Sequence, residues 1–157
     1  MSCKLHDVEP IEELRYLVLG AQREGARMLA ELLRPIGLTA AQAEVVAVLR
    51  DADGPLTVRE IGERLVCETG SPSRLVATVV ASGLAERNEH GEDRRAVAIS
   101  LTNAGKAAAR KVATAERSLY DGLADALSPS DIDAIVRGLS KLVHGRPAGA
   151  AISRRRG

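Results

Sequence analysis

The sequence predicts a mainly α-helical chain carrying one small β-hairpin, and three observations predict it. Apolar residues recur at helical spacing through most of the 157 residues. Helix-start signals punctuate those runs: Thr39-Ala-Ala-Gln42, Thr57-Val-Arg-Glu60, Ser71-Pro72 and Ser128-Pro129. A single stretch, 97–101, switches to alternation, with Val97, Ile99 and Leu101 set between Ala96, Ala98 and Ser100. The core must be aliphatic, because the chain has no Phe and no Trp, and Tyr16 and Tyr120 are its two aromatic residues.

Each element has its own warrant. Pro10 suits a first helical position, and Glu12 and Glu13 suit the positive end of a helix dipole. Ile11, Leu14, Leu17, Val18, Ala21, Met28, Leu29, Leu32 and Leu33 then mark a long first helix, expected to stop at Pro35. The box at Thr39 opens a second helix through Val45, Val46, Val48 and Leu49. Asp53-Gly54-Pro55 is a turn, with room for a short strand at Leu56. The box at Thr57 opens a short third helix through Ile61 and Leu65, broken by Glu68-Thr69-Gly70. Ser71 caps a fourth, with Leu75, Val76, Val79 and Val80 turned inward, closing at Gly83. Leu84–Glu89 pairs with the alternating strand across the polar turn His90–Arg95. Thr102 caps a fifth helix reaching about Leu127, and Ser128 a sixth with the stripe Ile132, Ile135, Val136, Leu139, Leu142 and Val143. From Arg146 onward no periodicity remains, and Pro, Gly, Ala and Arg predict a disordered basic tail over 146–157.

Charge and cysteine content restrict the function. The net charge is +1, from 22 basic and 21 acidic residues. Four of the basic ones are Arg146, Arg154, Arg155 and Arg156 of the tail, so the rest of the chain is slightly acidic. A nucleic-acid surface here has to be a local arrangement. No apolar run approaches the roughly 20 residues of a membrane span, and no export signal is expected. Two cysteines, Cys3 and Cys67, make no disulfide framework. A cytoplasmic protein is expected.

Two short helices separated by a tight break at Gly70 have the shape of a helix-turn-helix, whose second helix lies in the DNA major groove. The first turn of that helix is Ser71, Pro72, Ser73 and Arg74. Hydroxyls and helix N-terminal amides suit phosphates and base edges, and a guanidinium suits guanine. The hairpin tip adds Asp93-Arg94-Arg95, where Arg suits a narrow minor groove and Asp93 can hold an Arg extended. Each feature also has an ordinary explanation: capping at Ser71, a solvated Arg74, a polar turn with an internal ion pair. Their succession along the chain is what points to DNA.

From Leu38 to about Lys111 the sequence resembles the MarR family of winged helix-turn-helix regulators. The matching stretches are Leu-Thr-Ala-Ala-Gln (38–42), Leu-Thr-Val-Arg-Glu-Ile-Gly-Glu-Arg-Leu (56–65), Ser-Pro-Ser-Arg-Leu-Val (71–76) and Gly-Leu-Ala-Glu-Arg (83–87). The most specific runs from Glu92 to Gly105, with an Asp-x-Arg tip, an alternating strand, then Leu-Thr-x-x-Gly into a helix. The resemblance implies a homodimer built from helical regions 1–37 and 102–145, flanking a DNA-binding region 38–101. It implies a repressor of palindromic duplex DNA, with helix 71–82 in the major groove and wing 90–95 in the minor groove. Thr39, Ser71, Ser73, Arg74, Arg94 and Arg95 would contact DNA, with Asp93 orienting. A small phenolic or lipophilic acid would act as the releasing effector. The stretch 71–95, with four Arg and four acids, is less basic than the family pattern suggests.

Other chemistry is thinly represented. For an effector carboxylate the candidates are Arg15, Tyr16 and Arg23 on the first helix, with Arg27 nearby. The competing explanation is surface pairing with Glu12, Glu24 or Glu31. Cys67 lies in the turn before the fourth helix, where oxidation would disturb DNA reading, but no neighbouring base or cation activates it. Cys3 precedes the first helix. Cys3, His6, His90 and His144 do not form a metal-ligand set, so no metal and no cofactor is expected. No phosphate loop or catalytic triad is present, so an enzyme is not expected. The alternative is a winged-helix protein-interaction module that binds no DNA.

Overall fold

The computed structural model describes residues 10–66, 70–89 and 97–156. In chain order the elements are α1 (Pro10–Leu33), α2 (Ala40–Asp51), β1 (Leu56–Thr57), α3 (Val58–Gly62), α4 (Pro72–Ala81), β2 (Ala85–Glu89), β3 (Val97–Leu101), α5 (Asn103–Ala126), α6 (Pro129–Val143) and α7 (Pro147–Arg156). The architecture is mainly α with a small three-stranded antiparallel sheet ordered β1-β3-β2, the winged helix-turn-helix expected.

The capping boxes at Thr39 and Thr57 form, and the cap at Ser128 is a third box, each with backbone and side-chain bonds exchanged across three residues. α1 ends at Leu33, just before Pro35 as expected, and a 3-10 turn over Arg34–Ile36 carries the chain past the proline. The third helix is shorter than its apolar pattern suggests. It closes at Gly62, after which Arg64 N and Leu65 N donate to carbonyls three residues back as a turn, and glycine at 62 leaves room for Pro72, whose Cγ would be 3.0 Å from a Cβ there.

The core is aliphatic. Val45, Val46, Ile61, Val76, Val79, Ile99 and Val112 are all essentially inaccessible, and α2 runs through the middle of them. Alternation in β3 is imperfect. Val97 is exposed at the outer end of the hairpin, whereas Ala98 and Ile99 are both buried, since β3 is the central strand and β1 covers it at Thr57 and Leu56.

The tail corrects the expectation of disorder. Residues Pro147–Arg156 form α7, which folds back on the chain: Ala151 is buried, Arg155 Nη1 lies 3.1 Å from Glu44 Oε1, and Arg154 Nη1 donates to the Glu63 carbonyl at 3.4 Å. Gly149 is needed at its start, because a Cβ there would sit 2.2 Å from Val143 O. A helix held by one small apolar residue and two distant acids leaves no periodic mark in its own sequence.

A long apolar face is left open. Ile11, Leu14 and Leu17 on α1, Leu123 on α5, and Ile135, Val136, Leu139 and Leu142 on α6 are all exposed, and α6 buries no residue.

Candidate nucleic-acid interface

The reading helix is positioned from below. Val76 and Val79 anchor α4 in the core, with Leu75 and Val80 packed at its margin. One face is thereby fixed, so Ser73, Arg74 and Thr78 on the other are exposed. Gly70, at φ +68°, supplies the left-handed residue that delivers the chain to α4. Ser71 caps the helix, its Oγ accepting from Arg74 N at 3.5 Å, and its hydroxyl proton remains available to a ligand. The Arg74 guanidinium makes no ion pair with any described residue.

Thr39 is exposed at the start of α2. Its Oγ1 accepts from Gln42 N at 3.2 Å while Gln42 Oε1 accepts from Thr39 N at 3.0 Å. Gln42 Nε2 then reaches Thr78 Oγ1 at 3.4 Å, joining the start of α2 to the outer face of α4. Thr39, Ser73, Arg74 and Thr78 are thus exposed on two helices tied directly together. Gln42 and Thr78 were not foreseen in this role; Gln42 was recognised only as a cap.

The stem of the wing is ordered. β2 and β3 pair from Ala85↔Leu101 to Glu89↔Val97, and Asn88 Nδ2 donates to Ser100 Oγ at 2.7 Å. Arg87, on β2, is exposed and makes no ion pair with a described residue. The expected tip residues Asp93, Arg94 and Arg95 lie outside the described residues, as do Cys3, His6, Cys67 and His90.

Behind the wing, the Leu-Thr-x-x-Gly stretch has a clear structural task. Thr102 Oγ1 donates to Gly83 O at 2.7 Å and accepts from Gly105 N at 3.0 Å, while Thr102 N donates to Leu84 O at 3.1 Å. Gly105 lets α5 touch the chain between α4 and β2, since a Cβ there would fall 1.8 Å from Leu84 O. Wing and reading helix are therefore locked to α5 at one point.

The first-helix candidates are dispersed. Arg15 lies over the Tyr16 ring, 5.1 Å from its centroid, both residues are exposed, and Arg23 is exposed further along. Arg27 pairs with Glu24 at 2.6 Å, the ordinary surface pairing. An open cleft of about 460 Å³ lies elsewhere, bordered by Leu29 of α1, Ala43 and Glu44 of α2, Val112 and Tyr120 of α5, and Ile152 of α7. On its edge, Arg50 binds Asp51 at 2.6 Å and Glu116 at 3.0 Å. The hydrogen bond to Asp51, then Glu116, holds its guanidinium above the ordinary arginine range against the opposing effect of burial. Among the described residues no group of three or more His, Cys, Asp or Glu could hold a metal ion, and no single helix is long and apolar enough to cross a membrane.

A core-anchored helix with an exposed Arg in its first turn that pairs with no described acid, next to a small three-stranded sheet, defines a winged helix-turn-helix DNA-binding protein. A MarR family model matches residues 36–96. The multiple antibiotic resistance protein MarR of Escherichia coli is 30% identical over 102 residues, covering 65% of this chain and 68% of that protein. The organic hydroperoxide resistance transcriptional regulator of Bacillus subtilis is 29% identical over 105 residues, covering 67% and 71%. Among solved structures, a variant of E. coli MarR complexed with operator DNA superposes with a TM-score of 0.75 at 26% identity, covering 90% of this chain and 99% of that one. The chain belongs to the MarR family and is a DNA-binding transcription regulator.

Proposed function

We propose that the chain acts in the cytoplasm as a homodimeric repressor of palindromic duplex DNA, released by a small-molecule effector. The observation that carries the reading is the first turn of α4, where Ser73 and Arg74, which pairs with no described acid, stand out from a helix fixed by two fully buried valines. Ser71, Ser73 and Arg74 would enter the major groove, with Thr39 at its edge. Arg94 and Arg95, oriented by Asp93, would work the minor groove from the wing. The open apolar face of α1, α5 and α6 supports dimerisation, because water-exposed stripes of this length are what a partner helix bundle covers. The cleft between α1, α2 and α5, rather than the dispersed Arg15, Tyr16 and Arg23, is where we place the effector.

The test is a binding titration of Arg74→Ala against operator variants. Loss of a base-reading guanidinium is expected to cost about 1–3 kcal/mol and to relax preference at one position in each half-site, the half-sites being about 10 base pairs apart. If Arg74→Ala and Arg95→Ala both bind like the parent, the DNA-reading assignment is wrong and a protein-interaction module takes its place.

A further inference from the structure

The cleft is closed on one side by the chain's own C-terminal helix. Ile152 and Arg155 of α7 both border it. Arg155 reaches the carboxylate of Glu44, an acid only 8% exposed in the middle of an apolar helix. Leu29, Ala43, Val112 and Leu119 give the cleft an apolar wall, with Arg50, Asp51 and Glu116 also on its lining. An aliphatic group and a planar cation, inserted together against an apolar wall with a buried carboxylate at its end, have the form of a ligand.

The charges around the cleft indicate which ligand would replace it. The acids facing it are Glu44, Asp51 and Glu116, and the cations are Arg50 and Arg155. Arg50 is shared by Asp51 and Glu116. With α7 withdrawn, the described lining residues leave three acids facing a single cation. An incoming carboxylate would meet that excess unfavourably, whereas an incoming cation would restore the lost ion pair in a partly desolvated place.

We propose that α7 is an internal occupant of this cleft, and that the cleft takes a cationic amphiphile, a planar amidinium or guanidinium on an apolar body, in place of Arg155 and Ile152. Displacement reaches the DNA-reading parts by a short route. Glu44 Oε1 also accepts from Val66 N at 2.7 Å, at the start of the connection to α4, so the acid that holds Arg155 also holds the backbone leading to the reading helix. The consequence at DNA rests on the reading of this cleft as the effector site; the binding itself does not.

The experiment uses the full chain, with benzamidine as the cationic probe and benzoate as its anionic counterpart of the same shape. Calorimetry is expected to show saturable benzamidine binding, with benzoate at least about tenfold weaker. Amide hydrogen exchange over 147–156 is expected to speed up with benzamidine bound. Arg155→Ala, which removes the internal competitor, is expected to tighten benzamidine binding about fivefold, and Glu44→Gln to weaken it. Should Glu44→Gln not fold, Arg155→Ala carries the test, since its side chain lies at the margin of the cleft on α7. Absence of benzamidine binding, benzoate binding as tightly, or an unchanged benzamidine affinity in Arg155→Ala would each overturn the proposal. Operator titrations separate the two readings. If benzamidine binds and loosens α7 while operator affinity stays constant, the effector reading fails and the internal-occupant proposal stands. If benzoate alone binds and releases the operator, the effector reading stands and this proposal fails.

Discussion

Replacing Gly105 with alanine sets two effects of opposite sign against each other, and the structure decides between them. Gly105 lies in the first turn of α5. Helix propensity alone favours Ala there by up to about 1 kcal/mol. The added Cβ, however, would fall 1.8 Å from Leu84 O and 2.9 Å from Leu84 C, and neither atom belongs to a side chain that can turn away. Either α5 or the segment between α4 and β2 must shift. Overpacking of this kind costs about 1–3 kcal/mol. Separating Thr102 N from Leu84 O removes a hydrogen bond worth about 1 kcal/mol net. The balance is a destabilisation of about 2 kcal/mol, or a melting temperature lower by about 4–8 °C at fixed protein concentration. Thermal melts followed by helical circular dichroism measure it, with Lys106→Ala, exposed one residue further on, as the control expected to melt like the parent. If Gly105→Ala melts at or above the parent, the close approach of α5 to Leu84 is not the constraint described here.

Two further outcomes follow from the open faces of the protomer. Leu139→Glu alters a residue 39% exposed in the single chain, so the protomer should tolerate it. At a dimer seam, the same carboxylate would be desolvated twice at a cost of several kcal/mol, and sedimentation at micromolar concentration should show folded monomer. A variant that sediments as the parent dimer would place the seam elsewhere. Deleting 146–157 removes α7, with Ala151, Ile152 and the Arg155–Glu44 pair; the exposed, long Arg154–Glu63 contact contributes almost nothing. A loss of about 1–2 kcal/mol lowers the melting temperature by about 2–8 °C. An unchanged melting curve would show that α7 does not dock on its own chain.

Much of the local structure was legible in the sequence because its signals are short-range. Capping boxes at Thr39, Thr57 and Ser128, and the Ser71-Pro72 start, each involve residues three apart and depend on nothing distant. Features made by distant partners were not legible. Glu44 stands inside the apolar run from Ala43 to Leu49, and only the folded chain shows that Val66 N and Arg155 are among its partners. That misplaced acid was the available signal, since an ionised side chain is rarely buried without a partner. The tail is illegible for the same reason: the groups that α7 meets, the Glu63 carbonyl and the Glu44 carboxylate, lie about 90 and 110 residues away in the chain. Of the site, Ser71, Ser73, Arg74 and Thr39 were found by helix order and end chemistry. The bond from Gln42 to Thr78 was not, because it depends on the crossing of α2 and α4.

A chain with almost no net charge still has to hold a polyanion, and the ion pairs show how the opposing charges are distributed. Arg50, Arg59, Arg154 and Arg155 are engaged with Asp51, Glu116, Glu63 and Glu44, and none of these pairs includes a residue of α4. Arg74 and Arg87 are without ion pairs among the described residues, as are basic residues elsewhere such as Arg15, Arg23 and Arg110, so what sets the first two apart is their place on the reading helix and the wing stem. If Arg74, Arg87, Arg94 and Arg95 each neutralise a phosphate, a protomer meets four and a dimer eight. The logarithm of the binding constant should then fall with the logarithm of salt concentration at a slope of about −7 for the dimer, against about −3.6 for one protomer. Arg95→Ala removes two of the eight contacts, so it should flatten the dimer slope by nearly 2 while weakening many sequences alike, because the minor groove distinguishes bases poorly. Titrations at four or more salt concentrations read both numbers. A parent slope near −3 would mean that one protomer, or half of these arginines, carries the phosphate contacts. An unchanged slope in Arg95→Ala would remove the wing from the interface.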